Sequence, residues 1–505
     1  MKCKQLFRLF AVTLVVAVLA YSVSGTGLAQ AAPATIIQVG DGGDAGACAP
    51  GTWTLRCAIN YANAHPGTWI RFAPGLAAVL LQSPLPAITG NGTWIDGHDI
   101  YDQCVCPRID GLFMSSGNGL LILASHVTIS NISIVNIPRG AADIRIVGGF
   151  YGVDSIDNTI AYDHLGILPG ATQCAGLQSG VGVEVDQDNT GSAGNHLGTA
   201  YIYANDISCH ENSGVVARDS TYVYIGTQGD GTPNGNYIGT TSDGTRAAGN
   251  GDAGVLLENS AYIQIRNNLI AHNAGGGVIV DRSLYISPNG SDNVSVSYNT
   301  LSANYQGLVM RGGSTQQIVG NKIGTTPDGL LPMPNTQEGI LISGGSGLFL
   351  SGNLVTYNGA AGIAVTGDST HAAIVQNDIY RNGGLPIDLG NDGPTPNGPT
   401  SPSGPNDWLS YPFVTAFGGS VVQGYACANC RIDIFKAVGN PAAPGGGGIY
   451  QESVNAGPDP FRQWSVNPLL NGLTRLEATF TATDAGGNTS EMSPRPQVLL
   501  PLIRR

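Results

Sequence analysis

Charge is what this chain has least of. Only 11% of its 505 residues are Asp, Glu, Lys or Arg, and after Lys2 and Lys4 the sole lysines are Lys322 and Lys436. With a net charge of −13, such a surface offers no cationic patch to nucleic acid or to anionic membranes. Aromatic residues are sparse at 7%, and the one long apolar run, LFAVTLVVAVLA, lies near the start. No other run is long enough to cross a bilayer. Helix-period stretches are also nearly missing. The low charge does not mean disorder, because the apolar residues keep a strand period of two throughout.

Glycine is abundant instead, with 73 residues. Lys2, Lys4 and Arg8 precede the apolar run, and Ala29-Gln30-Ala31 fits a cleavage box, so residues 1–31 read as a secretory signal. Its removal takes away three positive charges and no acid, leaving −16. Of nine cysteines, Cys3 leaves with the signal. The others sit as Cys48/Cys57, Cys104/Cys106, Cys174/Cys209 and Cys427/Cys430. In an exported chain an even count favours disulfides, although their pairing stays open. A zinc reading needs two CxxC knuckles, and only Cys427/Cys430 has that spacing.

A repeat dominates the middle of the chain. Segments beginning at Asn158, Asn205, Asn268, Asn299, Asn353 and Asn377 place an aliphatic residue two positions on, and most close on glycine. Asn236 and Asn321 begin alike and run into longer loops. From Asn205 the successive starts are 31, 32, 31, 22, 32 and 24 residues apart, a unit of about 22 that loops sometimes lengthen. With so much Val, Ile, Thr and Tyr, the solenoid should be a parallel β-helix. An inward asparagine at one turn of every coil would satisfy buried backbone groups and fasten coil to coil. A second column, Asn273, Asn304, Asn358 and Asn382, becomes Asp163 and His210 in earlier coils. Asp163-His164 is an adjacent acid–imidazole pair capable of proton transfer, although both sit at ladder positions.

A second register starts from Gly214, Gly254, Gly277, Gly307, Gly339 and Gly362. Positions one and three after each glycine should point inward. Position two should point outward, yet it is apolar: Val216, Leu256, Ile279, Val309, Leu341 and Ala364. Either loops or the C-terminal region cover this stripe, or it docks another protein. Position four stacks Arg218, Glu258, Asp281 and Arg311, which reads as a ladder of ion pairs or as a catalytic column. One turn on, Tyr201, Tyr222, Tyr224 and Tyr262 point outward on neighbouring coils. They could form a platform for sugar rings, and tyrosine is also simply a good strand residue.

A convincing acid/base set is missing. Glu258 and Asp281 lie about 5 Å apart by coil spacing, near the separation a retaining glycosidase uses. Their arginine neighbours are wrong for a general acid, and the polygalacturonase pattern, an Asp pair with RxK, does not occur. No acidic cluster accompanies Arg266, Arg282 or Arg311 to hold calcium for a lyase, and GTQGDGTPNG, GTTSDGT and GTTPDGL read as turns. Neither metal nor cofactor is expected.

TLRCAINYANAH reads as a short amphipathic helix with Leu55, Ile59 and Ala62 on one face, suited to cap a solenoid. With the Gly67-to-Phe72 strand it resembles the CSLREA-type N-terminal segment of secreted bacterial β-helix proteins. It departs from that motif at Trp53, where the family has Cys, and at Cys57, where the family has Glu. IDLGNDGPTPN and TATDAGGNTSEMSP are similar to the ends of the same family. The resemblance implies a right-handed solenoid followed by a sandwich. The expected all-β organisation is a signal (1–31), a cap with the first coils (32–109), a right-handed parallel β-helix (110–390), a Pro/Gly linker (391–409), an Ig-like β-sandwich (410–497) and a tail (498–505). The expected function is secreted or cell-surface binding of a polysaccharide, an envelope glycan or a partner surface, without catalysis. The rival is a polysaccharide lyase or hydrolase using the Arg218–Arg311 column. A third reading is a structural envelope component that self-associates through the aliphatic stripe.

Overall fold

The computed structural model describes residues 35–44, 48–49, 52–148, 154–174, 179–187, 198–227, 235–281, 291–398, 403–418, 421–459, 462–466 and 477–494. The expected signal and C-terminal tail lie outside them. The fold is a right-handed parallel β-helix. Three parallel sheets wrap one core, and each strand pairs with its counterpart in the next coil. The first sheet has 12 strands, from Ile36–Val39 to Thr370–Val375, and the second has 10, from Leu120–Ile122 to Ile387–Leu389. The third begins at Ala78–Leu80 and counts 14 strands, the last three of them antiparallel and drawn from the C-terminal region.

One inward column explains why the coils stack. In the first sheet Ile70, Ile95, Ile129, Ile160, Ile202, Ile225 and Ile265 succeed one another in register, all buried. Burying each such side chain is worth about 1.5–3 kcal/mol. Equivalent columns run through Ile207, Ile238 and Ile270 in the third sheet and Val215, Val255 and Val278 in the second. Positions one and three after each glycine therefore point inward, as the alternation requires.

Two asparagine ladders hold the turns. In the first, the N–H of Asn205 donates to Oδ1 of Asn236 at 3.1 Å, and the pattern continues through Asn268, Asn299, Asn321 and Asn353 to Asn377. Each Nδ2 also donates to a carbonyl of the preceding coil, as Asn205 does to Ile160 at 2.9 Å. The second runs from His210 through Asn250, Asn273, Asn304 and Asn335 to Asn358 and Asn382. One expectation is corrected here. Asp163, not Asn158, occupies the rung before Asn205, and it belongs to the first ladder rather than the second. Asn158 lies within the strand Ser155–Ala161, in register with Ala200, and accepts from the N–H of Val127.

The helix Leu55–Ala64 closes the first coil. Thr54 caps it by accepting from the N–H of Cys57, and Leu55, Ala58, Ile59 and Ala62 face the core. At the other end the C-terminal region covers the last coil, whose backbone would otherwise be unpaired. Asn488, Asn406, Thr489, Asp433 and Glu491 accept from the N–H groups of His371, Ala372, Ile374, Gln376 and Leu389. The Pro/Gly segment thus includes a docked residue, Asn406, which is fully buried.

The six described C-terminal strands do not stand apart from the solenoid. Gly447–Asn455 joins the third sheet at Ile379, followed by Arg431–Val438 and Ala478–Thr483. Phe413–Gly418, Val421–Tyr425 and Gln463–Val466 form a separate antiparallel sheet. The two sheets share a core that includes Val422, Trp464, Ile432, Ile434 and Phe480. Disulfides link Cys48–Cys57, Cys104–Cys106, Cys174–Cys209 and Cys427–Cys430.

Candidate functional site

The outer face of the first sheet carries the tyrosines. Tyr201 and Tyr224 are register partners, followed outward by Gln264, Ser295 and Gln317. Tyr222 and Tyr262 lie one corner earlier, with φ of 57° each, and Asn293 and Thr315 take the same left-handed corner at 53° and 57°. Few residues other than glycine adopt this conformation, so the corner is imposed by the coil.

Two stacks result rather than one platform. The rings of Tyr201 and Tyr224 stack at 5.1 Å and 9°, and those of Tyr222 and Tyr262 at 5.1 Å and 12°. Those separations nearly match the spacing of successive coils, about 4.8 Å, so the rings face each other along the solenoid axis. A flat bed of tyrosine faces is therefore excluded, since neighbouring rings cover one another. Each stack ends where the next coil turns to shorter side chains. Beside that end lies a groove of about 230 Å³, lined by Tyr222, Tyr224, Tyr262, Gln264, Asn293 and Ser295 among others. Its described lining contains no carboxylate, guanidinium or ammonium. Burial raises the Tyr224 phenol above its ordinary value, which keeps it a hydrogen-bond donor.

The charged column lies on the second sheet. Nε of Arg218 donates to Glu258 at 2.6 Å and its Nη1 to Glu184 at 2.8 Å, while Arg311 meets Asp281 at 3.0 Å. Glu258 and Asp281 are register neighbours, but each has an arginine as its partner. The column also extends further than expected. Arg145 donates to Asp186 at 2.7 Å and lies 3.3 Å from Glu184. Asp219 follows Arg218 and accepts from Asn259. Burial, helped by the Asp186 and Glu258 carboxylates, holds its carboxyl above the usual range. Glu184 and Asp186 were legible in Gly182-Val183-Glu184-Val185-Asp186, which repeats the register of Gly214 one coil earlier.

The acid–imidazole pair is divided by the strand. Asp163 points into the first ladder, fully buried, whereas His164 lies 2.6 Å from Asp206 in the next coil. The aliphatic stripe is largely closed on itself. Val216, Ile279, Val309 and Ala364 are buried, and the half-buried Leu256 and Leu341 pack against Ile279, Val309 and Ala253. Leu256, Ile279, Val309 and Leu341 pack on one another with Ala253, leaving little apolar surface for a docking partner. Among the described residues no group of three or more His, Cys, Asp or Glu is placed to hold a metal, and no helix is long and apolar enough to cross a membrane.

The family model for a right handed beta helix region matches residues 284–398. Among solved structures, the A-module of mannuronan C-5 epimerase AlgE6 from Azotobacter vinelandii aligns at 14% identity with a TM-score of 0.37, covering 66% of this chain and 78% of that one. The periplasmic alginate epimerase AlgG aligns at 16% identity and a TM-score of 0.39, over 63% of this chain and 64% of its own. Tailspike protein 2 of Escherichia coli O157:H7 bacteriophage CAB120 aligns at 9% identity and 0.39, over 88% and 66%. The chain thus spans just under two thirds of AlgG. No curated protein matches the sequence. These likenesses concern the fold alone.

Proposed function

We propose that this is an extracellular or cell-surface protein that binds a neutral glycan in the groove at the end of the tyrosine stacks. The uncharged lining of that groove carries the reading. A pyranose ring presents an apolar C–H face and a rim of hydroxyls. The open face of Tyr262 suits the first, and the amides of Gln264 and Asn293 suit the second, since each can both donate and accept. Four disulfides fit an oxidising compartment. The net charge of −16 left once residues 1–31 are removed disfavours a polyuronate. On a glycan array, Tyr222→Ala with Tyr262→Ala should remove the groove's share of neutral-glycan binding; unchanged binding would reject the groove.

A second reading rests on Asp219. A carboxyl held above its usual range by burial, with Asp186 and Glu258 near it, has the make-up of an acid/base set for polysaccharide cleavage. Incubation with a polysaccharide panel, with and without Ca²⁺, tests it. New reducing ends or unsaturated products that vanish in Asp219→Asn support this reading, and no cleavage of any substrate ends it.

A further inference from the structure

We infer that the C-terminal region carries a second, separate binding site for neutral sugar, on the outer face of its three-stranded sheet. The cleft there has a volume of about 430 Å³, within the range of about 300–1,000 Å³ that small-ligand sites occupy. Its walls come from three strands. Gln423 pairs with Ser465 and Tyr425 with Gln463 across the antiparallel ladder, so these four side chains share one face. All four are exposed, and Asn455 from the neighbouring sheet completes the rim.

The floor is built with equal economy of charge. Gly424 pairs with Trp464, and a Cβ on Gly424 would lie 2.8 Å from the indole ring and 2.1 Å from the Phe413 carbonyl oxygen. Only glycine therefore leaves room for the indole, which packs in the core on the opposite face of the sheet. Trp464 is 3% exposed, and its Nε1–H finds no acceptor among the described residues. An unpaired buried donor costs about 1–3 kcal/mol. The described lining contains no carboxylate, guanidinium or ammonium.

This composition selects the ligand class. Three amides, each able to donate and accept, match the hydroxyls of a neutral sugar. Tyr425, 43% exposed and 3.3 Å from Gln463 Nε2, supplies an aromatic surface for the C–H face. An anionic or cationic ligand would find no counter-charge. The site shares its chemistry with the solenoid groove and none of its residues.

Calorimetric titration of the full chain with neutral gluco-, galacto- and manno-oligosaccharides tests the assignment. Two classes of site are expected, and Tyr222→Ala/Tyr262→Ala should leave one. In that background, Tyr425→Ala or Gln463→Leu should weaken the remaining site by about tenfold, the loss of one aromatic or amide contact. Both positions are exposed, and near-UV circular dichroism reports that each variant is folded. The assignment is overturned if the Tyr222→Ala/Tyr262→Ala protein binds none of the sugars, or if the remaining binding ignores both C-terminal substitutions. Binding that survives Tyr222→Ala/Tyr262→Ala unchanged and is lost with Tyr425→Ala rejects the solenoid groove and upholds the C-terminal site.

Discussion

Asp163 donates its backbone N–H to Oδ1 of Asn205 at 2.9 Å, which makes a carboxylic acid the first rung of a ladder otherwise built of asparagine. Its Oδ1 accepts from Ile132 as an amide oxygen would, at 3.0 Å. Its Oδ2 stands where every later rung has an Nδ2 donor, and it has no partner among the described residues. Full burial raises the pKa well above the ordinary carboxylate value. Raised in the fold, the group contributes stability that is complete below the unfolded pKa and is lost as pH rises through the folded one. Asp163→Asn should therefore raise the melting temperature at neutral pH, by the equivalent of about 1 kcal/mol, and flatten its pH dependence. A lower melting temperature than wild type would show that the ladder does not require the donor.

The second ladder starts on a different substitution. His210 takes the rung above Asn250, with Nδ1 2.9 Å from its Oδ1, and Nε2 lies 2.9 Å from Oδ2 of Asp143. Ser179 donates to the other oxygen of Asp143 at 2.6 Å, and His210 and Asp143 are both fully buried. No solvent or substrate reaches this chain of groups, so its role is to hold coils together. His210→Ala strands Asp143 and should cost about 3–5 kcal/mol in denaturant unfolding. A loss below about 1 kcal/mol would mean that Asp143 finds another partner.

Local periodicity carries the inward columns well, because alternation in a strand leaves only two faces to choose between. It placed Val215, Val255 and Val278 inside and brought Arg218 beside Glu258. It also misled where two residues share a shape. Asp163 fills an asparagine rung as a carboxylic acid, so a pattern of asparagines alone starts at Asn158 instead. That the stripe is covered was one of the two readings open in the sequence; which residues pack against Ile279 and Val309 was not legible, because alternation says only which way they point. Nor does local pattern set the pairing of Tyr425 with Gln463, which is antiparallel and 38 residues apart.

The arginine column should be nearly silent in stability. Arg218 is 41% exposed and Arg311 45%. Ion pairs of this kind are worth about 0–1 kcal/mol each. Arg218→Ala and Arg311→Ala should each shift the unfolding free energy by less than about 1 kcal/mol, and less again in high salt. A larger loss would make the column a structural brace.

Glu491 ties the C-terminal region to the last coil, and its titration should be visible. Its Oε1 accepts from Leu389 N–H at 3.1 Å and from the Thr395 hydroxyl at 2.9 Å, and its Oε2 from Thr395 N–H at 3.0 Å. Burial nevertheless raises its pKa from 4.5 to about 7, outweighing those bonds, with Asp388 adding to the shift. The protonated form is thus favoured in the fold. Stability from this group is complete below about pH 4.5 and falls as pH rises through about 7. The whole effect is on the order of 3 kcal/mol at most. Glu491→Gln keeps the acceptor and removes the titration, so its unfolding curve should change less between pH 5 and 8, windows set by the ordinary and raised values, than that of wild type. Hydrogen exchange at Leu389 and Thr395 locates the effect: in wild type the protection of these amides relative to intrinsic rates should fall between pH 5 and 8, and in Glu491→Gln it should not. Equal pH dependence in the two proteins would place the titrating group elsewhere.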